Sequence, residues 1–364
     1  LRAMERSQWL PADEFEALRL RRLRAFLTRI GKDVPYYREL FDELGFVPAE
    51  LESIDELQRL PLTGKADIRA NTEAMTAENA GPLERFSTGG STGEPLIFYR
   101  GRERVSHDVA AKWRATRWWN VDIGDREIVL WGSPIELSSQ DSIRQVRDKL
   151  LRTELLSAFE MSNANLLRFT QRVRQFRPRM LFGYPSSLAL LAEYASGNGY
   201  KVDDLGIRVV FVTSERLYPY QREAIERAFG CPVANGYGGR DDVGSLGSEI
   251  CACGRSLPLL AEIEGRTTDF IRAADGTVLH GLALIYVLRE IPEIQEFKIV
   301  QQSLTRLDVQ LVTSAAEKNV LESTITEQFR RRLGDSLVVR FDYVDAIERE
   351  ASGKFRYVVS HVQS

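Results

Sequence analysis

Phe86-Ser87-Thr88-Gly89-Gly90-Ser91-Thr92-Gly93-Glu94-Pro95-Leu96 is a run of small and hydroxylated residues between two more apolar segments. Residues 87–93 hold three glycines and four Ser or Thr hydroxyls, so backbone N–H and side-chain O–H groups can converge there on one anion. A phosphate chain is the natural guest. The flanking Leu-Glu-Arg-Phe (83–86) and Leu-Ile-Phe-Tyr (96–99) read as strands, which argues against a free Gly/Ser linker. The stretch is not a P-loop of the Gly-x-x-x-x-Gly-Lys-Ser/Thr kind, because Glu94 stands where a lysine is needed. Any lysine serving the phosphates must come from elsewhere.

Downstream of this stretch, residues 102–119 read as a helix with Val105, Val109 and Trp113 on one face, and 127–131 as a short buried strand. Helices at 163–176, 186–195 and 219–229 then alternate with strands at 180–182, 208–212 and 233–235. This rhythm predicts an α/β domain, its parallel or mixed sheet covered on both faces. Ligands of such sheets bind beyond the carboxyl ends of the strands. Gly183-Tyr184, Thr213-Ser214-Glu215 and Tyr237-Gly238-Gly239 all fall at strand ends, so three loops are expected to meet at one crevice.

Upstream, residues 13–57 have a helical pattern, with Leu18, Leu20, Leu23, Phe26, Leu27 and Ile30 on an apolar face and arginines opposite. The arginines are balanced by glutamates and read as a solvated face. Beyond residue 265 the texture changes. Segments 294–302, 305–313 and 336–344 are β-rich, with a long helix at 317–333 between the last two, which predicts a small α+β domain. Single cores stop growing near ~250–300 residues, so two domains are expected, 1–264 and 265–364.

The 364 residues carry 49 Lys and Arg against 52 Asp and Glu, a formal charge of −3 that suggests no nucleic-acid partner. No apolar run approaches the ~20 residues of a membrane helix, and the first residues lack a signal-peptide pattern. The expectation is a cytoplasmic protein with no membrane partner. Three cysteines, two of them one residue apart, do not make a disulfide framework.

Residues 87–95 resemble the phosphate-binding signature of the adenylate-forming superfamily of acyl-CoA synthetases, peptide-synthetase adenylation domains and luciferases. Within it the chain resembles the phenylacetate-CoA ligase-like branch that includes the CapK proteins of capsule biosynthesis. Further matches follow in order: Pro35-Tyr36-Tyr37-Arg38, Leu60-Pro61-Leu62-Thr63-Gly64-Lys65, Gly183-Tyr184-Pro185-Ser186-Ser187, Tyr237-Gly238-Gly239-Arg240-Asp241, Cys251-Ala252-Cys253-Gly254-Arg255, Gly265-Arg266-Thr267-Thr268-Asp269 and Ser352-Gly353-Lys354-Phe355-Arg356. Their order and spacing cover nearly the whole chain.

The resemblance implies a large N-terminal α/β domain and a mobile C-terminal domain joined by a hinge at Thr268 and Asp269. It implies activation of a small carboxylic acid by ATP to an acyl-adenylate, with pyrophosphate released and the acyl group passed to CoA. An amide-forming ligase or adenylyltransferase without CoA stays open, as does a nucleotide-binding protein without catalysis, and a homodimer is compatible with any of these. Ser87, Thr88, Gly89, Gly90, Ser91, Thr92 and Gly93 would wrap the β- and γ-phosphates. Tyr237, next to Gly238, would stack on adenine, with Thr213, Ser214 and Glu215 bordering the nucleotide. Asp241 would hold Mg²⁺, Asp242 and Arg266 would take the ribose, and Lys354 would bridge carboxylate and α-phosphate. Tyr184, Gly236 and Trp113 would line the acyl pocket, although packing alone also accounts for Trp113, Trp118 and Trp119.

One feature departs from the family, whose members carry roughly 60 residues, a small β subdomain, between the Tyr-Gly motif and the Gly-Asp motif that grips the ribose. Here Asp242-Val243-Gly244-Ser245 follows Asp241 at once, so a segment is expected to be missing near 241–242. Cys251 and Cys253 are half of a structural Zn²⁺ site by composition, which needs four N/S ligands. Related proteins supply the others from the absent segment, so zinc belongs to the intact protein on this reading.

Overall fold

In the computed structural model, which describes residues 1–87, 97–132, 142–236, 243–246, 253–258, 260–264, 270–347 and 357–362, the flanks of the glycine-rich stretch form a hairpin. Glu84–Ser87 pairs antiparallel with Ile97–Arg100, Ser87 opposite Ile97. The hairpin therefore brackets 88–96, which lies outside the described residues. The chain forms two compact units, Leu1–Thr116 with Leu246–Ala261, and Arg117–Ser245 with Glu262–Ser364.

In the first unit the helix Ala12–Asp33 ends where Pro35 opens the next helix, Pro35–Leu44, which Gly45 closes in the left-handed conformation at φ 56°. Leu27, Phe41, Phe46 and Leu51 make its core, with Leu20, Leu23 and Ile30 packed against it. Phe26 is 51 % exposed, contrary to expectation: the stripe 20, 23, 27, 30 is complete without it, and Phe26 falls on its flank. Val109 likewise is 51 % exposed on the helix Arg102–Arg117. Residues 253–258 are tied to the N-terminus: Ser256 N–H donates to Gln8 O at 2.9 Å, and the Arg255 guanidinium lies 4.8 Å from the Trp9 ring centre.

The second unit holds a five-stranded, all-parallel sheet in the order Thr153–Ser157, Glu127–Trp131, Met180–Gly183, Val209–Val212, Val233–Asn235. Helices Asn163–Phe176, Pro185–Gly197 and Pro219–Phe229 follow their strands and share a core with one face. That face presents Ile128, Leu130, Leu181, Val210, Val212 and Val233, which meet Phe169, Leu188, Leu191, Ile225 and Phe229. On the opposite face Met180, Val209 and Ala234 pack with Val121, Trp119 and Phe211. Alternation along each strand produces the two faces.

Cys231 is buried beside the last strand, and burial first, then the Glu226 charge, pushes its thiol up to about 12. Two results are expected. The native chain should not react at Cys231 with a maleimide at pH 7.5, while the urea-unfolded chain should. Between about pH 9 and 12 only the unfolded chain ionises this thiol, so its contribution to stability is intact below pH 9 and declines across that window. Denaturant midpoints measured against pH check the sign.

A four-stranded sheet follows in the order Val338–Tyr343, Arg306–Thr313, Ile294–Ser303, Val358–Ser360. Helix Lys318–Leu333 buries Leu321, Ile325, Phe329 and Leu333 in a core shared with Phe297, Ile299, Leu307, Val309 and Leu311 of the sheet and with residues of helix Leu282–Arg289. This is the α+β composition expected for the last hundred residues. A small three-stranded sheet joins Phe270–Arg272 and Val278–His280 to Glu160–Met161, Val278 opposite Met161. Residues 270–280 are thereby hydrogen-bonded to the segment just before helix Asn163–Phe176. The hinge residues Thr268 and Asp269 fall outside the described residues.

Candidate active site

The carboxyl ends of three adjacent strands bring Gly183-Tyr184, Thr213-Ser214-Glu215 and Gly236 side by side. Thr213 N–H donates to Gly183 O at 3.2 Å, and Gly236 N–H to Val212 O at 2.7 Å, which carries the strand pairing into the loops. Two of these positions need glycine for lack of room. A Cβ on Gly183 would lie 2.4 Å from the carbonyl oxygen of Leu130, and one on Gly236 would lie 2.4 Å from the ring of Phe211. Ser214 has φ 70°, a left-handed conformation that costs an L-residue about 1–2 kcal/mol. Something must hold it.

Glu215 does the holding. Its carboxylate is 8 % exposed and has partners on both oxygens. One oxygen accepts from Ser186 N–H at 3.4 Å and from the Ser186 hydroxyl, at the N-terminus of helix Pro185–Gly197, where a negative charge is favoured. The other lies 2.5 Å from His280 Nε2, which a carboxylate partner makes the donor. His280 is 2 % exposed, its ring 4.9 Å from Tyr184 and edge-on to Phe270 at 5.5 Å. A buried carboxylate is tolerated only with such partners.

Beside this clamp lies an aromatic group. Trp131 stacks on Tyr184 with ring centres 4.1 Å apart and planes 13° apart, and Phe182 stacks on Phe211 at 6.1 Å. Phe182 and Phe211 sit opposite each other in register on the sheet face away from the three covering helices. Trp131, Phe182 and Phe211 are half-buried. An apolar floor beside a backbone-rich rim suits a ligand with one apolar and one polar end.

Of the residues expected from sequence, Tyr184, Thr213, Ser214, Glu215 and Gly236 are thus brought together. Ser87 ends its hairpin strand and Trp113 is half-buried on helix Arg102–Arg117. Thr88, Gly89, Gly90, Ser91, Thr92, Gly93, Tyr237, Gly238, Asp241, Asp242, Cys251, Arg266 and Lys354 lie outside the described residues. Cys253 is exposed, and among the described residues no three His, Cys, Asp or Glu side chains form a metal-binding group. The thiols at 251 and 253 do not by themselves fit a four-ligand zinc site. Sequence reasoning assigned no role to His280, Ser186, Trp131 or Phe211. His280 carried one signal, a lone imidazole inside the apolar run Val278-Leu279-His280.

Ser187, next to the clamp, is fully buried and its hydroxyl has no hydrogen-bond partner among the described residues. Ser187→Ala is therefore expected to stabilise the fold by about 1 kcal/mol, through removal of an unsatisfied group and a better helix former. Urea denaturation checks this, and a loss of stability would contradict it.

The CapK C-terminal domain family matches residues 271–361. A crystal structure of 2-hydroxyisobutyryl-CoA ligase in complex with 2-HIB-AMP and CoA superposes with a TM-score of 0.62 at 20 % identity, covering 98 % of this chain and 91 % of that one. This chain has the fold of 2-hydroxyisobutyryl-CoA ligase. Among its homologues are protein CapK of Staphylococcus aureus and the phenylacetate-coenzyme A ligases. CapK is 23 % identical over 415 residues, covering 96 % of this chain and 90 % of CapK. The phenylacetate-coenzyme A ligase of Escherichia coli (strain K12) is 25 % identical over 292 residues, covering 76 % of this chain but 63 % of that enzyme.

Proposed function

We propose that this chain activates a small carboxylic acid with ATP, releases pyrophosphate, and passes the acyl group to CoA. The observation that carries the reading is the meeting of Thr213-Ser214-Glu215, Gly183-Tyr184 and Gly236 at the carboxyl ends of three parallel strands. The homologues support it, since those with an activity in their names are phenylacetate-coenzyme A ligases.

Adenylation demands that a triphosphate be held, its charge neutralised, and the α-phosphorus presented in line to a carboxylate. Positioning and electrostatics do most of this work. In the proposed site Thr213 and Ser214 offer backbone to the nucleotide, and the aromatic floor of Trp131 and Phe182 lies toward the acid. Ser87 to Gly93 wrap the β- and γ-phosphates, and Tyr237 stacks on adenine. Asp242 and Arg266 take the ribose. Asp241 has the hard oxygen donor that magnesium requires, and the ion when bound offsets phosphate charge. Lys354 enters on the C-terminal segment, and a turn at Thr268 and Asp269 moves it in and out. A cytoplasmic site of action follows from the substrates, ATP and CoA.

A segment missing near 241–242 is part of the same reading. The match to CapK runs over 415 residues, more than the 364 of this chain, so it opens gaps opposite this chain. The decisive assay is ATP–pyrophosphate exchange across aromatic and aliphatic acids, followed by CoA consumption. Acid-dependent exchange with thioester formed is expected. Exchange without thiol consumption would replace CoA with another acceptor, and no exchange with any acid would contradict adenylation.

A further inference from the structure

We infer that His280 is a positioning residue for the nucleotide. Through Glu215 it fixes the left-handed turn at Ser214, and it makes the shape of that turn depend on the seat of the C-terminal segment. The inference rests on the nucleotide reading above and adds to it a residue that never touches the ligand.

The turn cannot hold itself. Ser214 is not glycine, so its φ of 70° is disfavoured, and a turn left alone relaxes toward ordinary backbone. Thr213 is anchored on one side by its N–H bond to Gly183 O. On the other side the anchor is the Glu215 side chain, gripped by Ser186 from the sheet's own helix and by His280 at 2.5 Å. With both ends fixed, Ser214 has no freedom to flip. Remove the imidazole, and a buried carboxylate loses one of its partners, which it recovers only by moving toward water. The turn moves with it.

His280 lies 65 residues from Glu215, at the end of the strand Val278–His280 that pairs with Glu160–Met161. Its ring is packed by Tyr184 and Phe270 and stacked on Phe159 at 6.5 Å, so the imidazole stays aimed at the carboxylate only while that strand keeps its place. Any displacement of the strand draws the donor from Glu215 and loosens the turn. The contact thus transmits the position of residues 270–280 to the backbone that borders the nucleotide.

The test is calorimetric titration of the full chain with α,β-methylene-ATP and magnesium, for the unsubstituted protein, His280→Leu and His280→Gln. His280→Leu should weaken binding about tenfold or more, the scale of one hydrogen bond to a charged group. His280→Gln keeps an N–H donor and should bind within about threefold of the unsubstituted chain. A structural role alone would lower the fraction of competent protein, read as stoichiometry, and leave the Kd of the folded molecules unchanged. Equal Kd for all three therefore overturns the inference, as does equal weakening by Leu and Gln. Should His280→Leu fail to fold, His280→Phe takes its place, keeping a ring among Phe159, Tyr184 and Phe270 without a donor: the same tenfold loss supports the inference and an unchanged Kd overturns it. Failure of the unsubstituted chain to bind the nucleotide would overturn the nucleotide reading itself, a different result from equal binding by all.

Discussion

Replacement of Lys354 by alanine is expected to lower the rate of acid-dependent ATP–pyrophosphate exchange about 10²–10³-fold, the effect of removing one preorganised charge from a developing transition state. Lys354 stands in the stretch Ala351-Ser352-Gly353-Lys354-Phe355-Arg356, where a glycine allows backbone to approach a ligand closely. Both flanks are held in the C-terminal sheet region. Ile347 is buried, and Val358–Ser360 pairs in parallel with Ile294–Ser303. In the proposed role between carboxylate and α-phosphate, loss of the charge should fall on kcat and leave the affinity for ATP within about threefold. Lys354→Arg, which keeps the charge with a different shape, should recover only part of the rate. An undiminished exchange rate in Lys354→Ala removes the lysine from the chemistry.

The second large effect concerns stability. Gly183→Ala is expected to cost about 3 kcal/mol, the upper part of the range for overpacking, because the new methyl would meet the Leu130 carbonyl oxygen at 2.4 Å. That oxygen belongs to the neighbouring strand, paired with Gly183 in register, so neither backbone can yield without breaking the ladder. For a chain of this size the drop in Tm should be roughly 4 °C. Gly236→Ala is the control. Its methyl meets the ring edge of Phe211, a side chain that can rotate, so the loss of stability should be smaller while the apolar floor narrows. If Gly236→Ala destabilises more than Gly183→Ala, the steric account of these two positions is wrong.

The parallel sheet is legible because Glu127–Trp131, Met180–Gly183 and Val209–Val212 are short apolar runs, and the last two are followed by helices that open on a proline. The helix 163–176 starts after the capping Ser162 and the helix 219–229 ends at the left-handed Gly230, and the bounds expected from sequence match those observed. The edge strand Thr153–Ser157 carries no clear signal, since only Leu155 and Leu156 of its five residues are apolar, and edge position relaxes the need for more. Helix Leu282–Arg289 carries apolar residues on every side and has no amphipathic period to detect. Glu160–Met161 is too short for any local signal.

Loops at strand ends were legible for the same reason as the sheet, and with them Thr213, Ser214, Glu215, Tyr184 and Gly236. What Glu215 does was not. Local reasoning sets a carboxylate at a strand end against a ligand, whereas both of its oxygens turn inward to Ser186 and His280. A contact between positions 215 and 280 depends on the return of the chain after residue 270 to pair with 160–161, and no periodicity encodes that pairing. Burial of a histidine between apolar residues is the one trace it leaves in the sequence.

On the proposed reading, the strand-end crevice holds an activated acyl nucleotide. A crystal structure of the full-length protein grown with ATP, magnesium and an aryl acid tests it most directly. An adenosine moiety is expected against residues 213–215, with the acyl group directed toward Trp131 and Phe182. Nucleotide bound elsewhere, with those residues in contact only with solvent, would contradict it.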